Sequence, residues 1–84
     1  MIPTKETERL VVATITATTL ARSGQKQVGY DWLRAGLAHA QDYERQGLVW
    51  APRLVERWKQ VLAAYCAELD FQPSAELEEA AASV

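Results

Sequence analysis

Residues 10–21 read LVVATITATTLA, and two periodicities run through them at once. Val11, Ala13, Ile15 and Ala17 alternate with Val12, Thr14, Thr16 and Thr18, the period of two expected of a strand in a β-branched run. Leu10, Ala13, Ala17 and Leu20 also fall on one helical face, with Val11 and Ile15 beside them. Length and pairing decide between the two. The segment 5–22 runs without a turn signal for longer than the roughly 3–10 residues of an ordinary strand. No other strand-like run exists in the chain, so a strand here would need a second molecule to pair with. The reading is a helix over 5–22. Thr4 is its expected N-cap, Glu6 and Glu8 sit in the first turns where the helix dipole favours acids, and Gly24 ends it.

Outward from that segment, the stretch SGQKQVG reads as a short polar loop, and a second helix follows over about 30–46. Leu33, Leu37 and Ala40 form its inner face, and Trp32, Gly36, His39 and Tyr43 run beside them at steps of three and four. Asp31, Arg34, Ala38, Gln41 and Arg45 take the solvated side. Gly36 costs about 1 kcal/mol relative to alanine inside a helix, which predicts that another helix or a bulky aromatic side chain comes close there. Gly47 stands where a left-handed residue closes a helix, with Leu48 folding back as in a Schellman motif.

Pro52 then opens a third helix over about 52–70, since its missing amide proton and fixed φ suit the first turn. Leu54, Trp58, Val61, Leu62, Tyr65 and Leu69 repeat at helical spacing, with Val55 and Cys66 widening the stripe. Arg53, Glu56, Arg57, Lys59 and Gln60 face out, and Glu56 is placed to pair with Arg53 and Lys59 at three-residue steps. Pro73 is expected to stop the helix. Ser74 is a good N-cap for the piece AELEEAAA, which is too short to hold as a helix alone, so 73–84 is either a short docked fourth helix or a mobile acidic tail. The fold class is all-α: a three-helix antiparallel bundle over 1–72, followed by that segment.

A chain of 84 residues buries only about 60% of its unfolded surface, so it gains from a staple or a partner. One cysteine closes no internal disulfide, and one histidine with one cysteine matches no common zinc spacing. No cofactor or metal is expected. The longest apolar-leaning run is about 12 residues against the roughly 20 that cross a bilayer, and the acids before it do not suit a signal peptide. The expected location is the cytoplasm, where a lone thiol stays reduced.

Charge excludes little. Residues 1–72 hold nine basic and eight acidic side chains, while the last segment adds Glu76, Glu78 and Glu79 and no base. Neither part carries the strongly basic footprint of a dedicated nucleic-acid binder. Catalytic patterns are absent: no glycine-rich phosphate loop, no Gly-x-Ser-x-Gly, no paired carboxylates on an apolar face. His39 and Cys66 read as a packed or half-buried histidine and a buried, inert thiol. The four threonines Thr14, Thr16, Thr18 and Thr19 read as surface hydroxyls or as a tight interface.

The aromatic content is large for the size. Trp58 and Tyr65 belong to the core stripe, but tryptophan, tyrosine and arginine are also enriched at interface hot spots. Trp50, in the connection rather than on a helical stripe, is the leading candidate anchor, with Arg53 and Arg57 beside it and Trp32 and Tyr43 on the preceding helix. The expected function is therefore non-catalytic. It is a small helical protein acting by contact with another protein or with a second copy of itself, as an adaptor, inhibitor or assembly accessory. Such a size suits a phage or mobile-element factor. The alternative is a helix–turn–helix-like DNA-binding regulator that reads DNA with helix 52–70.

Overall fold

The structure, a computed structural model, describes residues 1–73. The segment 74–84, with its three glutamates and the expected Ser74-capped helix, lies outside the described residues. Three helices follow in order: α1 (Thr4–Arg22), α2 (Lys26–Arg45) and α3 (Ala51–Glu68). No strand occurs among the described residues, so residues 10–18 are helical. Successive helices run antiparallel, and α2 packs along both neighbours, whereas α1 and α3 touch each other far less.

The core is built where the apolar stripes meet. α1 contributes Leu10, Ala13, Ala17 and Ala21; α2 contributes Tyr30, Leu33, Leu37 and Ala40; α3 contributes Leu54, Val55, Trp58, Leu62 and Tyr65. Trp58, 2% exposed, is among the largest fully buried side chains. Its ring lies flush against Gly36, where an added methyl group would overlap the six-membered ring. The glycine that a helix interior penalises is thus the floor on which an indole rests.

The second glycine of α2 corrects one expectation. α2 begins at Lys26, four residues before Tyr30, and takes in Gly29. A methyl at Gly29 would meet the Tyr65 hydroxyl and lie 2.7 Å from the carbonyl oxygen of Ala17. Gly29 is therefore a contact point for α1 and α3 together rather than a turn residue. The Tyr65 hydroxyl donates to the Lys26 carbonyl at 2.6 Å, and Lys26 Nζ donates to the Leu69 carbonyl at 3.0 Å. The start of α2 is clasped to the end of α3 by both bonds.

All three helices close in the same manner. The Gly24 amide bonds to Ala21 O and the Gln25 amide to Leu20 O, while the Gly47 amide bonds to Glu44 O and the Leu48 amide to Tyr43 O. Gly24 and Gly47 have φ of 82° and 81°. These are Schellman closures, and the one at Gly47 was expected. α3 ends likewise, with the Phe71 amide bonded to Cys66 O at 3.0 Å and Asp70 in the left-handed region at φ 48°. Helix three therefore ends at Glu68 through Asp70, before Pro73 is reached. Phe71 folds back onto Tyr30 and Tyr65, with ring centroids 5.6 and 6.0 Å away.

Two smaller expectations also change. Thr4 lies inside α1; Pro3 takes the cap position, with no side-chain cap bond. Glu56 pairs with neither Arg53 nor Lys59: the ion pairs among the described residues are Arg9–Glu6 and Arg45–Asp42.

Candidate interaction surface

The sequence-derived candidates separate into two groups. Tyr43 and Trp50 are brought together, their rings edge-to-face at 5.2 Å. The connection after Gly47 lets Trp50, which precedes the first turn of α3, fold back over the last turn of α2. Trp50 is partly buried against the core, so it is half absorbed by the fold. The indole that stands out is Trp32, 52% exposed on α2. It lines a shallow depression with Arg9, Ala13, Gly36 and His39, and the edge of Trp58 forms part of the wall. Trp32, Gly36, His39 and Tyr43 follow one another along α2, and Trp50 extends the row.

Arg53 and Arg57 lie elsewhere. Both are exposed and line a more polar depression between the N-terminal ends of α1 and α3, with Met1, Ile2 and Thr7. They are not part of the aromatic row.

A hydrogen-bond relay sets the position of that row. Glu6, only 7% exposed, accepts a hydrogen bond from the Tyr43 hydroxyl at 2.9 Å. With its proton committed there, the Tyr43 oxygen accepts from His39 Nε2 at 3.1 Å, and the His39 and Tyr43 rings meet edge-on at 4.9 Å. The bond to Glu6, together with desolvation and the nearby negative charge, raises the Tyr43 pKa above its ordinary 10.0. Burial likewise raises that of Tyr65, with smaller contributions from Cys66 and Asp31. His39 is exposed, not packed or half-buried as expected; it is held from one side by the tyrosine. Cys66 is partly rather than fully buried.

Among the described residues, no cluster of histidine, cysteine, aspartate or glutamate could hold a metal ion. No described helix is long and apolar enough to cross a membrane.

One surface went unread in the sequence. Val11, Val12 and Ile15 are 52%, 61% and 62% exposed on the outer side of α1. The signal was present, because a period-two apolar run wound into a helix must put apolar side chains on every side of it.

Compared with protein-family models, curated proteins and solved structures, the chain matches none of them.

Proposed function

We propose that this chain is a small non-catalytic helical protein of the cytoplasm that works by protein–protein contact, as an adaptor, an inhibitor or an assembly accessory. The observation that carries this reading is the half-exposed Trp32, in line with His39, Tyr43 and the Tyr43-backed Trp50. Large aromatic surface held rigid by its neighbours loses little entropy on binding, which is why such side chains dominate interface energetics. The Glu6–Tyr43–His39 relay supplies that rigidity.

The test is affinity capture by the parent chain beside Trp32→Ala and Trp50→Ala, each first shown to be folded by circular dichroism. Each variant is expected to weaken binding of the captured protein by about 2 kcal/mol. Retention of the partner at parental affinity by both variants would remove the aromatic row from the function. Arg53 and Arg57 favour a second reading, since both are exposed and neither is ion-paired among the described residues. If the chain binds DNA with an affinity that falls steeply as salt rises, and Arg57→Ala abolishes it, a DNA-binding regulator replaces the adaptor.

A further inference from the structure

The outer face of α1 is unoccupied within the chain, yet it is prepared for burial. Val11, Val12 and Ile15 project from it. The threonines that share the helix have their hydroxyl protons already satisfied. Thr14, Thr16, Thr18 and Thr19 each donate to the carbonyl four residues earlier, at 2.8, 2.9, 2.8 and 2.9 Å. Covering these side chains would strand no donor, whereas a hydroxyl bonded only to water would lose its partner on burial. A face of valine, isoleucine and internally bonded threonine therefore gives up little polar hydration when another surface meets it.

Charge identifies the occupant. Ile15 stands midway between Glu8 and Arg22, seven residues from each, and these two charges mark the ends of the apolar stretch. Both are exposed, and neither is ion-paired among the described residues. Residues seven apart return to nearly the same side of a helix, so Glu8, Ile15 and Arg22 lie along one line. Lay a second α1 antiparallel on this face with Ile15 against Ile15, and Glu8 of each copy meets Arg22 of the other. Val11 then meets Thr19. The pattern is complementary to itself under a two-fold rotation, as an isologous interface requires. A parallel pairing would set Glu8 against Glu8 and Arg22 against Arg22.

We propose that the outer face of α1 is a self-association surface that pairs two copies of this chain antiparallel about Ile15, with Glu8–Arg22 ion pairs at both ends. The seam is a single helix face, well below the area of a permanent dimer, so the association is reversible and belongs to the weak class.

Sedimentation equilibrium of the full chain, from about 10 µM to about 1 mM, covers that weak class. The average mass should rise from one chain towards two. Ile15→Asp should remain a monomer throughout with an unchanged helical spectrum, because the side chain touches no core; Val12→Asp serves if that variant misfolds. Glu8→Arg and Arg22→Glu should each weaken pairing about five- to tenfold, because each puts like charges at both ends of the seam. An equimolar mixture of these two variants should recover parental association, since both end pairs are then opposite in sign. Trp50→Ala should leave the mass profile unchanged, which separates this surface from the aromatic row of α2. A parent that stays monomeric, an Ile15→Asp chain that pairs like the parent, or a mixture no tighter than its components would each overturn the proposal.

Discussion

α1 and α3 flank the same central helix, yet they hold it by opposite means. α3 reaches α2 with large side chains, Leu54, Trp58, Leu62 and Tyr65, two of which end on glycines. α1 reaches it with Ala13, Ala17 and Ala21, so closely that the Ala17 carbonyl leaves no room for a methyl at Gly29. The first contact buries much apolar area and gains chiefly from it. The second buries less per residue and gains from the close approach of two backbones. It also explains why Val11, Val12 and Ile15 are outside: past Leu10, the inner positions of α1 that meet α2 are all alanine. An interface of large side chains is broken by removing atoms, and one of small side chains by adding them.

The largest effect tests the first half of that contrast. Trp58→Ala should cost about 3–5 kcal/mol, because the indole is fully enclosed and Gly36 cannot fill the void. For a domain this small, that is most of the stability available. A urea melt followed by circular dichroism would show it; a midpoint within a degree or two of the parent in a thermal melt would put Trp58 outside the core. The second half is tested by Ala17→Leu, which should cost about 2–3 kcal/mol by forcing α1 off α2. If leucine is accepted without loss, the helices are not in backbone contact and the comparison fails on the α1 side.

Smaller changes sharpen the picture. Tyr65→Phe removes the bond to the Lys26 carbonyl while keeping the ring, and should cost about 1 kcal/mol in the same melts. Tyr43 adds a dependence on pH. Its folded pKa is raised above the unfolded 10.0, so its contribution is complete below that value and is lost as pH rises through the raised one. Stability measured between pH 9 and 12 (roughly the titration range of a phenol) should therefore fall less steeply in Tyr43→Phe than in the parent, with the burial-raised Tyr65 supplying the remaining slope. The smallest effect has the opposite sign. Asp70 holds a left-handed φ of 48° that glycine adopts freely, so Asp70→Gly should be stabilising by about 0.5–1 kcal/mol.

The three helices and the inner stripes of α2 and α3 were legible because long apolar periodicities outweigh local ambiguity. The crowding at Gly36 was legible for another reason: a glycine in a helix interior is costly unless something presses against it. Gly29 is the instructive failure. Beside Gly24 and a polar stretch it reads as loop, and only the distant Tyr65 and Ala17 turn it into a packing position. The burial of Glu6 was hidden for the same reason, since an acid in a first turn looks solvated until Tyr43 closes over it. Within the candidate surface, the aromatic residues were found, but their ranking was not. Trp50 lies in a connection and yet folds back onto Tyr43, while Trp32 lies on a helix and is left half outside. Arg53 and Arg57 are near Trp50 in sequence, but the turn into α3 directs them to another face.

The repeated closure of the helices bears on how quickly the chain finds its fold. The closures at Gly24 and Gly47 are sealed by hydrogen bonds spanning only three and five residues, and the one at Asp70 by a bond spanning five. The helices are joined by three residues (23–25) and five (46–50). Short connections keep the entropy of loop closure small, and contacts between sequence neighbours give a low contact order, which in helical domains accompanies folding in microseconds to milliseconds. The side-chain bonds that bridge long separations, Glu6 with Tyr43, Tyr65 with Lys26 and Lys26 with Leu69, form once the helices have met. They belong to the unfolding limb of the kinetics: their loss should speed opening while leaving the rate of collapse nearly unchanged.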